Sequence, residues 1–232
     1  MLKTLMMLKP TVIAMSMAAA ALFAAGGASA SPAVPRDGAE YRLLSAPVQV
    51  QAQGKKVEVI EFFMYHCPAC NMLEPGLAAW VKKQGDAINF RRIHVPHNGA
   101  ADPEAHLFLT LEALKLDESL HAKVLNTWHV ERKRLKSDED NVEWAVKNGL
   151  DKAQFLAAYN SFGVQTRLRN LEKLVGSYRV DGTPTLVING RYLTSPSIVA
   201  EGNPNMPRQS VEAAAFQVMD ALVLKAQQEL GR

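Results

Sequence analysis

Val57-Glu58-Val59-Ile60-Glu61-Phe62-Phe63-Met64-Tyr65-His66-Cys67-Pro68-Ala69-Cys70 passes from an apolar, β-branched and aromatic run straight into a pair of cysteines. Between Val57 and Tyr65 only Glu58 and Glu61 are charged, which is the composition of a central strand buried on both faces. Pro68 suits a first helical position, because its missing amide hydrogen would be unpaired there in any case. Cys67 is therefore predicted to be the N-cap of a helix running to about Lys83, with Pro75 inside it as a source of kinking. Cys67 and Cys70 are the only cysteines in the chain. Their spacing on a first helical turn brings the sulfurs within disulfide reach, while helix-terminal amides and the helix dipole favour a thiolate at the first. Cys67 is the candidate nucleophile and Cys70 the resolving thiol.

Downstream, Ile88 to Val95 reads as a second strand and completes a β-α-β unit. Near the other end, Thr185–Ile188 and Arg191–Leu193 flank Asn189-Gly190, the strongest short signal for a two-residue hairpin turn. After a loop rich in Pro and Asn, Ser210 is placed to cap a last helix whose inner face carries Ala215, Met219, Leu222 and Ala226. The ends of the chain thus read β-α-β and β-β-α.

A helical block lies between them. Asp102-Pro103 starts a helix carrying Leu107, Leu111 and Leu114, and Leu120, Val124 and Trp128 continue the period in a second. Ser137 and Asp151 are N-cap candidates ahead of the pairs Val142/Val146 and Phe155/Tyr159, and Val164, Leu168, Leu171, Val175 and Tyr178 mark a longer helix. These stripes read as core. The division expected is a leader over residues 1–30, an α/β domain made of 31–99 and 177–232, and a helical insertion over 100–176.

The leader has Lys3 and Lys9 ahead of an apolar core from about Thr11 to Ala25 and a small-residue cleavage site at Ala28-Ser29-Ala30, the pattern of a secretory signal. An uncleaved anchor is the alternative, but the apolar stretch falls short of the roughly 20 residues a spanning helix needs. Cleavage near Ser31 delivers the chain to an oxidising space such as a bacterial periplasm, where a cysteine pair persists as a disulfide. With 26 Lys and Arg against 23 Asp and Glu, the net charge of +3 falls to about +1 once Lys3 and Lys9 are gone. Neither that balance nor any Gly-rich phosphate loop points to nucleic acid or a nucleotide. The basic cluster Glu131-Arg132-Lys133-Arg134 reads as a solvated helix face or loop.

A Cys-x-x-Cys at a strand-to-helix junction, a β-β-α unit opening with Gly182-Thr183-Pro184-Thr185, and helices inserted between the two halves resemble the thioredoxin-like fold of the DsbA family of thiol:disulfide interchange proteins. The resemblance implies an enzyme, a protein dithiol oxidase that introduces disulfides into reduced exported polypeptides through Cys67-Pro68-Ala69-Cys70. It implies a cis Thr183-Pro184 bond packed against the cysteines, with the Thr183 backbone pairing to an extended substrate, so that recognition depends little on substrate sequence. It further implies a buried acid at Glu61, a basic partner at Arg92, a DsbB-type membrane oxidase as reoxidant, and no organic cofactor. One position departs from the best-known pattern, where the residue before the second cysteine is histidine; here it is Ala69. Losing that charge predicts weaker oxidising power, partly offset by His66.

Rival readings remain. A reductase or isomerase would use the same chemistry, but an isomerase of the DsbC type needs an N-terminal association domain, and about 25 residues before the first core strand are too few, which favours a monomer. A zinc module would join Cys67 and Cys70 to two of His66, His94, His97, His106, His121 and His129. A peptide-binding chaperone would treat the disulfide as structural.

Overall fold

The computed structural model describes residues 32–52 and 54–231, and the leader expected over 1–30 lies outside them. Strand β1 (Arg42–Leu43) precedes β2 (Val57–Phe63), helix α1 (Pro68–Gln84) and β3 (Ile88–His94). Helices α2 (Pro103–Ala113), α3 (Asp117–His129), α4 (Asp138–Lys147), α5 (Lys152–Tyr159) and α6 (Phe162–Ser177) follow. The chain then returns as β4 (Thr185–Ile188), β5 (Tyr192–Thr194), α7 (Pro196–Gly202) and α8 (Val211–Leu230). The sheet order is β1-β5-β4-β2-β3, with β2 parallel to β3 and antiparallel to β4.

All seven residues of β2 are buried, as a strand central to a sheet covered on both faces requires. One core joins Ile60 and Phe62 to the inserted helices through Leu107, Leu111, Trp144 and Leu168. The other joins Val57 and Val59 to α1 and α8 through Leu77, Trp80, Met219 and Leu222. The end of β2 is thereby clamped between two hydrophobic layers, and Cys67 is delivered where they meet. Asn189 and Gly190 both have positive φ, 52° and 61°, as the two-residue hairpin turn demands.

Two local expectations need correction. Ser210 does not cap α8: it ends a 3-10 turn, Arg208–Ser210, that runs directly into the helix, so its side chain makes no capping bond. The stretch expected as loop contains α7, capped by Ser195 Oγ accepting from the Ile198 amide, with Pro196 at the first turn. Strand β1, only two residues long, was too short to carry a periodic signal. Through Pro75, α1 runs as one helix. Among the described residues no helix is long and apolar enough to cross a membrane.

Candidate active site

Cys67 ends the β2 exit with extended dihedrals, φ −74° and ψ 116°, and its sulfur accepts from the Cys70 amide at 3.3 Å, so it is the N-cap of α1. Pro68 and Ala69 complete the first turn. Both cysteines are free thiols and buried, Cys70 the more so at 2% exposure. The Thr183-Pro184 bond is cis, and the Cys67 thiol donates to the Thr183 carbonyl at 3.5 Å. The structure therefore brings Cys67, Cys70, Thr183 and Pro184 together from two distant parts of the chain.

The two sulfurs are pushed apart in acidity. The hydrogen bond from the Cys70 thiol draws the Cys67 pKa down, against the cost of burial, with help from Thr183 and the Cys70 and Ala69 amides. Cys70 moves up, first because its proton is held by Cys67, then because it is buried. The Thr183 hydroxyl has no partner while Cys67 is a thiol, so it can turn its proton to the sulfur once that becomes a thiolate.

Beneath the pair, Glu61 is buried on β2, and Arg92 Nε on β3 donates to its Oε2 at 2.9 Å. The same guanidinium holds Glu74 at 3.0 Å and Glu118 at 2.8 Å. Burial lifts the Glu61 pKa to about 7 despite Arg92. Arg92 loses from burial too, but its three carboxylates outweigh that loss and keep it charged. The two partners thus disagree about their shared bond. One guanidinium is divided among three acids, and the acid furthest from water is left short. The Glu61 charge, when present, raises Cys70 further.

His66 lies on the other side of Cys67. Glu104 grips it twice, accepting from its backbone amide at 2.9 Å and bonding Nδ1 at 2.8 Å. That bond is the main reason its pKa is raised, which favours the charged imidazolium one residue before Cys67, where Ala69 offers no such group.

The histidines do not assemble around the cysteines. His94 approaches Glu104, His106 bonds the Tyr159 carbonyl, and His129 donates to the Tyr65 carbonyl. Among the described residues, the cluster with metal-ligand spacing is Glu61, Glu74 and His121, whose two carboxylates are already engaged by Arg92.

Sequence reasoning missed Glu74, Glu118 and Glu104, and had His121 only as a candidate zinc ligand beside the cysteines. Glu74 was recoverable, since it follows Cys70 by four residues and so shares its helix face. Glu104 was not, because 38 residues separate it from His66.

Comparison with known proteins agrees with this geometry. Residues 97–210 match the DSBA-like thioredoxin domain. The chain is 38% identical over 204 residues to the thiol:disulfide interchange protein DsbA of Burkholderia cepacia, covering 88% of this chain and 92% of that one. To DsbA of Azotobacter vinelandii it is 35% identical over 187 residues, covering 80% and 87%. The crystal structure of Pseudomonas aeruginosa DsbA superposes with a TM-score of 0.73 at 31% identity, covering 84% of this chain and 96% of that structure. With the redox pair at the head of α1, the cis-proline loop against it and the helices inserted before β4, the chain belongs to the DsbA family of thiol:disulfide oxidoreductases.

Proposed function

We propose that the chain acts in the periplasm, after removal of residues 1–30, as a monomeric oxidase of newly exported polypeptides, with Cys67 as the reacting sulfur. The observation that carries this reading is the placement of Cys67 as the N-cap of α1, its sulfur accepting from the Cys70 amide and lying against the Thr183 carbonyl, with Cys70 buried behind it, an arrangement that sets the two thiols apart in acidity. A substrate thiolate attacks Cys67 Sγ of the enzyme disulfide. The Cys67–Cys70 bond breaks, and Cys70 departs with the electron pair. A buried sulfur of raised pKa leaves poorly as an anion, so it needs a proton, and Glu61, with a pKa near 7, is the buried group that supplies one. A second substrate thiolate then attacks the substrate sulfur of the mixed disulfide, and Cys67 leaves as the stabilised thiolate. The substrate has lost two electrons and the enzyme pair has gained them.

In this reading the thioredoxin-like part, 31–99 and 177–232, carries the chemistry, and the insertion 100–176 supplies Glu104, Glu118 and His121. Thr183 offers its backbone to an extended substrate beside Cys67. A membrane oxidase of the DsbB type restores the disulfide. The decisive experiment is the equilibrium reduction potential of the Cys67–Cys70 pair in glutathione buffers, read by alkylation and mass. A potential above the glutathione poise supports the oxidase, and one far below it would make the protein a reductase.

A further inference from the structure

The basic segment after α3 does not lie on an indifferent surface. It forms one wall of a pocket of about 830 Å³ that also includes His66 and Pro68, the residues on either side of Cys67. Arg132, Arg134 and Lys136 line this pocket with exposed side chains, and Trp128 forms part of its wall with its indole nitrogen unpartnered. Neighbouring charges are spent elsewhere. Lys133 pairs with Glu143 at 2.8 Å, and Glu131 with Lys147 at 3.7 Å. Of the two acids in the pocket wall, Asp102 accepts from the His97, Asn98 and Ala105 amides, while Glu104 is committed to His66. Among the described residues, Arg132, Arg134 and Lys136 form no ion pair, so the pocket presents net positive charge.

Thr183 and Pro184 are absent from its walls, so the pocket opens on the flank of Cys67 away from the cis-proline loop. A polypeptide whose cysteine has reached Cys67 brings the residues next to that cysteine within reach of this flank, because His66 and Pro68 form part of the pocket. We propose that the pocket is a subsite selecting substrate polypeptides that carry acidic side chains next to the reacting cysteine. The proposal rests on the oxidase reading and adds sequence preference to a recognition otherwise made through backbone. Three exposed cations on the flank of the reacting cysteine both steer an acidic segment and hold it during attack.

The test uses the oxidised chain and three reduced dithiol peptides, identical except for Asp-Asp, Asn-Asn or Lys-Lys beside the first cysteine. Stopped-flow rate constants are expected to favour the Asp peptide over the Asn peptide about tenfold at low ionic strength, with most of the advantage lost in 0.5 M salt, where the screening length is about 4 Å. The variant R132Q/R134Q/K136Q should bring the Asp-to-Asn ratio close to one. Removing the same charge elsewhere, in K55Q/K82Q/K173Q, should leave the ratio as in the parent. Equal rates for the three peptides would overturn the proposal, as would a ratio that survives in the first variant or collapses in both. Failure to oxidise any peptide would instead sink the oxidase reading on which it rests.

Discussion

Glu61→Gln separates the charge of the buried acid from its shape. In the folded chain the Glu61 carboxyl titrates at about 7, against 4.5 for an ordinary glutamate. Between those values the folded state holds a proton that the unfolded state has released, so stability falls as pH rises through the window. Each pH unit there removes about 1.4 kcal/mol, and the full window about 3 kcal/mol. Glutamine keeps an oxygen that can accept from Arg92 Nε, and Arg92 retains Glu74 and Glu118, so the substitution removes the titration without emptying the site. Other groups run the opposite way: Glu104 and Cys67 have lowered values and add stability as pH rises. The quantity to measure is therefore the difference between the two proteins, which share those groups. Urea unfolding of reduced protein at pH 4, 6 and 8.5 should show near-equal stabilities at pH 4 and the Gln variant ahead by about 3 kcal/mol at pH 8.5. A difference that stays constant with pH, or that favours the parent at high pH, would refute the account of Glu61 as a desolvated acid.

Ala69→His adds a second imidazole at the head of α1 and is expected to lower the Cys67 pKa and raise the reduction potential; a fall in potential measured in glutathione buffers would contradict this. Thr183→Val removes the hydroxyl that can donate to the thiolate, and with a hydrogen bond worth about 1 kcal/mol it should slow alkylation of Cys67 about threefold at pH 5, with an unchanged rate counting against that role. Gly190→Ala forces a side chain onto φ 61° and would drive its Cβ into the Val48 carbonyl oxygen, so a loss of more than about 2 kcal/mol in denaturant unfolding is expected.

The elements that were legible in the sequence are those whose signals are local. The run from Val57 to Phe63 could only be a buried strand, Asn189-Gly190 could only be a tight hairpin, and Asp102, Ser137 and Asp151 each cap the helix they precede. Ser195-Pro196 has the same cap-and-proline signature and was hidden by the surrounding prolines and asparagines, whereas Ser210 carries the right residue type and no capping geometry. The active site divides along the same line. Cys67, Pro68 and Cys70 form one turn, and they were readable as such. The four-member ion cluster around Arg92 draws on β2, α1, β3 and α3, and only the fold brings those together. The basic segment near Arg132 looked like solvated surface for the same reason: its sequence gives its charge, and only the packing of α3 against the β2 exit places that charge beside Cys67.

The direction of the reaction follows from where the protons sit. In a mixed disulfide between Cys67 and a substrate, two thiols compete to resolve it, Cys70 and the substrate's second cysteine. Attack requires a thiolate. Cys70 is buried, its pKa is raised, and any negative charge on Glu61 raises it further, so it remains a thiol and attacks slowly. The substrate's second cysteine is under no such restraint. It resolves the mixed disulfide first and leaves with a new disulfide, while Cys67 departs as the thiolate that its helix terminus and Thr183 stabilise. The net direction at equilibrium is set by the reduction potential of the pair against that of the substrate, and the slow attack by Cys70 acts on the partition of the mixed disulfide. The burial of Cys70 beside Glu61 thus favours transfer of the disulfide outward, and the histidine missing at Ala69 changes how strongly the reduced form is stabilised without reversing that preference.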